Sequence, residues 1–144
     1  MGESLGRVPV TAEVKIENLA DAWAAEKGRL LSGRARSATV TDAPVDAAAI
    51  FLCIPTAMIK RLGLEPVGTR RERTVSGVDE VRPYDAVRLT IQGRTCTMDV
   101  REIADGNPVL IGQLVLGHLD FVVDLRSRSL VGNPAHGGEH IYEV

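Results

Sequence analysis

Apolar and polar residues alternate along several short segments of this chain, which is the pattern of β-strands with one buried face. The clearest case lies on either side of Gly93, where two alternating segments predict a β-hairpin packed on the core. Two other segments are apolar throughout and predict buried strands. The predicted strands cover residues 8–16, 38–45, 50–54, 87–91, 96–100, 109–111, 120–124 and 129–131, and residues 140–144 can form one more.

Helical patterns are fewer. Residues 18–31 begin at Asn18 and are rich in alanine, which predicts a helical insertion. A short helix is predicted over residues 56–62, before Gly63 at the stop position, and another over residues 113–118. Many short strands with few helices predict a mostly β protein, and residues 1–144 suit a single domain.

Residues 69–82 differ from the other strand patterns because nearly all of them are polar on both faces. A hairpin that is polar on both sides cannot pack on a core. We therefore expect it to project into solvent, with its turn at Val75-Ser76-Gly77-Val78. Such an arm is a candidate lid over a binding site.

Composition and charge argue against several classes of protein. A net charge of −2 gives no overall attraction to nucleic acid or to an anionic membrane. No apolar run reaches the roughly 18 residues of a membrane span. The first residues lack the pattern of a secretion signal, so we expect a cytoplasmic protein with Cys53 and Cys96 as free thiols.

Two histidines near the end of the chain raise the question of a metal site. His136 and His140 flank Glu139, but Gly137-Gly138 between them does not hold ligands on one helix face. We predict no metal and no cofactor.

The candidate chemistry centres on Asp46, which stands between two apolar segments. Taken alone, this pattern favours a turn in which the Asp46 carboxylate accepts backbone N–H bonds. Three features then follow along the chain: a short helix ending in Gly63-Leu64, the polar hairpin with Gly77 at its tip, and Leu110-Ile111-Gly112-Gln113 leading into a helix.

Together with the Asp46 loop, these features make the sequence resemble the retropepsin-like aspartic proteases, especially small bacterial members. The resemblance covers most of the chain from about Val8 and is strongest over residues 109–139. It implies a closed β-barrel subunit with short helices and a projecting flap hairpin. It also implies a homodimer that acts on a peptide or protein substrate, because each chain of this family supplies one catalytic aspartate.

The resemblance assigns roles to particular residues of this chain. They are Asp46 as the catalytic residue, Ala47, Ala48 and Ala49 as the active-site loop, Ser76, Gly77 and Val78 as the substrate-binding flap, and Ile111 and Gly112 as the second loop that supports the first.

The active-site loop departs from the family motif, which is Asp, then Thr or Ser, then Gly, usually followed by Ala. Ala47 lacks the hydroxyl that normally links the two loops across the dimer axis. Ala48 adds a methyl group where the family has glycine, and a positive φ at that position would strain the backbone.

Three interpretations are compatible with this pattern. The first is a working peptidase, in which paired Asp46 carboxylates and an activated water hydrolyse peptide bonds. The second is a catalytically impaired module on the same fold that binds extended peptides or serves as a dimerisation domain. The third is an unrelated small barrel that binds a small ligand. The first two predict a homodimer.

Overall fold

The computed structural model describes residues 10–141, which fold mainly into β-structure and confirm the mostly β prediction. The strands are β1 Thr11–Asn18, β2 Ser37–Pro44, β3 Leu52–Pro55, β4 Arg70–Thr74, β5 Gly77–Val81, β6 Val87–Ile91, β7 Arg94–Met98, β8 Val100–Ile103, β9 Leu110–Ile111, β10 Phe121–Asp124 and β11 Ser129–Gly132. The α-helices are α1 Leu19–Glu26, α2 Thr56–Arg61 and α3 Gln113–Leu119, and 3-10 turns occur at Ser32–Arg34 and Pro134–His136. The start of the first predicted strand and most of the last one lie outside the described residues.

Hydrogen bonding joins the strands of residues 10–141 into four sheets. The largest is antiparallel with the order β2-β1-β6-β7. The second has the order β8-β3-β9, in which β3 is parallel to β8 and antiparallel to β9. The other two are the pairs β4-β5 and β10-β11. The closed barrel implied by the resemblance is not formed by these hydrogen bonds, because β2 and β7 remain the edges of an open sheet.

The hairpin of β6 and β7 confirms the prediction made from alternation. Gln92 and Gly93 form its turn with φ values of +50° and +79°, and positive φ at both positions is typical of a two-residue type I′ turn. The predicted second strand is interrupted at its end, since Val100 begins β8 and pairs with Leu52 in the other sheet.

Asn18 is the last residue of β1 and the N-cap of α1. Its side-chain oxygen accepts a hydrogen bond from Asp21 N at 3.0 Å, the arrangement of a helix N-cap. Its Nδ2 donates to the Leu62 carbonyl at 2.9 Å, so this buried side chain also binds the end of α2. The predicted helical insertion over residues 18–31 is too long, because α1 ends at Glu26 and Gly28 adopts a φ of +71° just after it.

One cluster of buried apolar side chains connects the two larger sheets with α2 and α3. Its most deeply buried members are Val14, Ile16, Leu52, Ile54, Leu62, Val87, Leu89, Ile91, Ile111, Val115 and Leu119. Leu52 and Ile54 of β3 and Ile111 of β9 belong to this cluster, and the segment between β2 and β3 starts and ends on this core. Among the described residues, no helix is long and apolar enough to cross a membrane.

Leu52 lies on the central strand of the three-stranded sheet and is 0% exposed. Leu52→Ala is expected to lower the free energy of unfolding by about 2–5 kcal/mol, because it removes buried methyl groups and leaves a cavity. Leu125→Ala is the matched control, since Leu125 is 80% exposed. Its effect should stay within about 0.5 kcal/mol. Urea unfolding of both variants measures the difference, and equal losses would contradict this packing.

Candidate functional site

The Asp46 loop, defined here as residues 45–51, is held at its start by β9. The Asp46 N–H donates to the Ile111 carbonyl at 3.0 Å. Val45 forms a parallel bridge with the same residue. The carboxylate-bearing residue is therefore attached directly to a strand of the core.

The far side of the Asp46 loop is bound to the first turn of α3. Gln113 N donates to the Ala49 carbonyl at 2.8 Å, and Leu114 N donates to the Ile50 carbonyl at 2.9 Å. The first N–H groups of a helix have no partner within the helix, so the loop satisfies donors that would otherwise need water or a cap.

Gly112 lies where the two backbones cross. A Cβ atom at this position would come within 2.7 Å of the Ile50 carbonyl oxygen and would collide with that of Phe51. The φ of Gly112 is −94°, so glycine is required here by space and not by conformation. Ile111 and Gly112, which the resemblance assigns to the supporting loop, thus lie against the Asp46 loop.

The Asp46 side chain is exposed, and its Oδ1 accepts a hydrogen bond from Ala48 N at 2.9 Å. This is the turn that the residues alone predict. Within residues 10–141 no hydrogen bond reaches the other oxygen, Oδ2. One carboxylate oxygen is therefore oriented by the loop while the second can accept a bond from outside.

The alanines after Asp46 are accommodated without backbone strain. Among the described residues other than glycine, a positive φ occurs at Gln92, Asp120 and Arg128 and not at Ala48. The strain considered for a methyl group at this position therefore does not arise. Ala47 and Ala48 are exposed, and Ala49 is half-buried.

Two apolar side chains are exposed here, one within the loop and one next to it. Ile50 is 53% exposed and Leu114 is 40% exposed, and a backbone hydrogen bond joins these two residues. Together with Ala47 and Ala48 they give the surface around Asp46 an apolar character, which suits contact with another molecule.

The predicted polar hairpin is present as β4 and β5, which we call the arm hairpin. These strands pair with each other and with no other strand among the described residues. Ser76, Gly77 and Val78 are exposed at its tip, next to the fully exposed Val75. The hairpin and its exposure are confirmed, whereas its role as a flap stays a prediction.

Arg101 on β8 contacts both the arm hairpin and the Asp46 loop. Its Nη2 donates to Glu72 Oε1 at 2.5 Å, and its guanidinium lies 4.1 Å from the centre of the Phe51 ring. Arg70 donates to the other Glu72 oxygen at 2.8 Å. Burial alone would raise the pKa of Glu72, but the two arginines together lower it below its ordinary value.

A second polar cluster lies at the C-terminal end of α3. The buried Asp120 ends the helix with a φ of +58°. Its carboxylate accepts hydrogen bonds from His136 Nδ1 at 2.6 Å, from Asn133 Nδ2 at 3.2 Å and from Ile141 N at 3.2 Å. These bonds, with that from His136 first, lower the pKa of Asp120. The cluster fastens residues 133–141 to α3.

A cleft of about 440 Å³ opens beside this cluster. Its lining consists of Gln113, Leu114, Gly117, His118, Asp120, Asn133 and His136. In residues 10–141 no three His, Cys, Asp or Glu side chains lie together in a way that could hold a metal ion. Among the described residues, no Ser, Thr or Cys lines the cleft to act as a nucleophile beside His136.

Both cysteines are free thiols that burial makes poor nucleophiles. Burial raises the pKa of Cys96 to about 11. Burial also raises the pKa of Cys53. The negative charge of Asp46 adds to this increase, and the positive charge of Arg101 reduces it. Since the thiolate is the reactive form, neither residue is activated near neutral pH.

Sequence reasoning missed the Arg101–Glu72 and Asp120–His136 pairs. Their partners are 29 and 16 residues apart, so no local pattern joins them. Residues 109–139, where the resemblance is strongest, contain both Asp120 and His136, but the sequence does not show that these side chains meet.

Comparison with known proteins gives no family assignment, since no family model matches the sequence and no curated protein is significantly similar to it.

Gly112→Ala tests the crossing of the two backbones. It is expected to lower the free energy of unfolding by about 1–3 kcal/mol, because the added methyl group pushes the Asp46 loop away from α3. Gly117→Ala is the matched control, since a Cβ there meets nothing within 4 Å. Gly117 lies within α3, so alanine should be neutral or stabilising by about 0.5–1 kcal/mol. Equal losses in chemical denaturation would contradict the close approach.

Asp120→Asn tests the C-terminal cluster. The folded pKa of Asp120 is below its unfolded value of about 3.9, so its stabilising effect is present above that pH and is lost as the pH falls through the folded pKa. The variant should therefore have a lower Tm near neutral pH, with a difference from the wild type that shrinks as the pH falls below about 3.9. Thermal unfolding against pH measures this, with the exposed Asp99→Asn as control. A Tm difference that is independent of pH would be the contrary result.

Proposed function

We propose that this chain is one subunit of a homodimeric aspartic peptidase of the retropepsin-like type, with Asp46 as its catalytic residue. The observation that supports this is an exposed carboxylate on a loop whose backbone is bound on both sides to the junction of β9 and α3. Firm placement matters because a displacement of about 1 Å can lower a rate on the order of 100-fold.

Two chains are required because one carboxylate cannot perform both parts of the reaction. Two carboxylates about 3 Å apart share one proton, since they cannot both ionise at that distance. The ionised Asp46 takes a proton from water as the water oxygen attacks the peptide carbonyl carbon. The protonated one, the partner's Asp46, donates a hydrogen bond to the carbonyl oxygen. The C–N bond then breaks, and the amine leaves with a proton from the pair.

The surface around Asp46 supports contact between two copies of the chain. Ala47 and Ala48 are small and exposed, so two loops can approach closely at a two-fold axis. Ile50 and Leu114 add exposed apolar area next to them, which is buried when the loops of two chains meet.

The presence of the arm hairpin is consistent with an extended peptide as the substrate. An extended peptide would lie between the Asp46 loop and the hairpin tip at Ser76, Gly77 and Val78. Closure of the hairpin over the peptide would exclude water from the reacting carboxylates.

A second candidate function is favoured by Ala47. A methyl group cannot form the hydrogen bond that a hydroxyl would make across the dimer axis, at a cost of roughly 0.5–1.5 kcal/mol for each lost bond, and symmetry makes the loss twofold. In this case the dimer binds extended peptides by strand pairing without cutting them.

A peptide cleavage assay between about pH 4 and 7 separates these functions. Asp46→Asn should lower the rate at least about 100-fold, the usual effect of removing a general base. Asp42→Asn is the matched control, since Asp42 is also exposed but lies on β2. Equal rates for the wild type and Asp46→Asn would refute the peptidase.

Two further measurements test the second candidate function and the homodimer. No cleavage by the wild type, with activity gained when Ala47→Thr and Ala48→Gly are combined, would establish the impaired module. Light scattering should show a dimer, and a monomer at tens of micromolar would count against both functions.

A further inference from the structure

The arm hairpin meets the rest of the structure along β8. Successive side chains of a strand point to opposite sides, so Arg101 and Glu102 on β8 bind different residues. Glu102 Oε1 accepts a hydrogen bond from Tyr84 Oη at 2.9 Å. Tyr84 follows the hairpin and bridges Pro66 ahead of it, so this bond fixes the base of the arm.

Arg101 acts further along the arm, on the third residue of β4. Its guanidinium is held from two sides, by the Glu72 carboxylate of the hairpin and by the face of Phe51 in the Asp46 loop. One side chain therefore connects the two segments that a substrate would have to separate.

Charge favours an arm hairpin whose Glu72 face is turned toward Arg101. Glu72 stands opposite Asp79 in the register of the two strands, so both carboxylates are on the same face. Arg71 and Glu80 form the neighbouring pair, whose side chains are on the opposite face. Carboxylates directly across from each other repel, and the guanidinium groups of Arg101 and Arg70 at Glu72 offset this repulsion on the first face.

A typical surface ion pair contributes little to the free energy of folding. The Arg101–Glu72 pair has two features that increase its contribution. The Arg101 and Glu72 side chains are 28% and 19% exposed, so water screens them only in part. Stacking on Phe51 covers one face of the guanidinium and restricts its orientation.

We propose that Arg101 is a positioning residue for the arm hairpin. By pairing with Glu72 while it stacks on Phe51, it sets the resting distance between the hairpin and the Asp46 loop. Opening the arm requires the Arg101–Glu72 pair to break, so the pair controls entry of the substrate. Only this last step rests on the proposed function.

Hydrogen exchange on the full-length protein tests the position of the hairpin without any need for activity. Glu72→Gln should increase exchange of the amides of residues 70–81 roughly three- to tenfold, because the charged pair is lost. Glu80→Gln is the matched control, since it removes the same charge from the opposite face of the hairpin. Amides of β1 serve as a reference for global opening. Equal exchange in the two variants would overturn the proposal.

Three further measurements distinguish positioning from general stability. The double variant Glu72→Arg with Arg101→Glu restores the pair and should return exchange toward the wild-type rate. Arg101→Lys keeps the charge but loses the planar stack, so its exchange should be intermediate. Raising the salt concentration should increase exchange in the wild type and have little effect on Glu72→Gln. Failure of both the double variant and the salt response would contradict an ion-pair mechanism.

Peptide kinetics test the link to substrate. If the pair controls entry, Glu72→Gln changes KM for a peptide by a similar factor while kcat changes less. An unchanged KM together with faster exchange would show that the pair positions the hairpin but does not control entry of the substrate. Absence of cleavage by the wild type as well as by the variants would refute the peptidase, while exchange still decides the role of Arg101.

Discussion

The close crossing of the Asp46 loop and the junction of β9 and α3 is the constraint on which the candidate site depends. Backbone hydrogen bonds on both sides of Gly112 join the two segments, and Gly112 leaves no room for a side chain between them. Because β9 pairs with β3 in the core, the position of the carboxylate is set by core packing and not by the loop alone. The alanines after Asp46 leave this arrangement intact, since it is made by main-chain atoms.

Charged side chains supply the remaining order outside the core. Arg101 and Glu102 connect β8 to the arm hairpin and to its base, and Asp120 connects α3 to the C-terminal segment. In each case a long-range polar contact fixes a segment that has little apolar area of its own. The fold thus separates a rigid apolar centre from peripheral segments whose positions respond to charge.

The sequence predicts those parts of the structure that depend on local patterns. Alternation around Gly93 predicts β6 and β7 because a two-residue turn and one buried face are local properties. The polar segment at 69–82 predicts the arm hairpin from a different local property, polarity on both faces around a turn that contains Gly77. The end of α1 was missed because Leu30 fits the apolar pattern of a longer helix, whereas Lys27 caps the helix and Gly28 adopts a positive φ directly after it. Arg101 and Asp120 were missed because their partners are brought together only by the tertiary fold, and the sequence resemblance named Gly112 without showing that it is needed for space.

The arm hairpin has one further consequence that concerns solubility. Among the described residues β4 pairs with β5 alone, so its other side is the edge of a two-stranded sheet. Exposed edges of this kind are starting points for aggregation unless charge or twist blocks them. Arg70, Arg71 and Arg73 outnumber the one carboxylate of β4, Glu72, so the strand is net positive and two such arms repel each other when they approach through β4. The polarity that keeps the hairpin out of the core therefore also protects the protein from assembling through it.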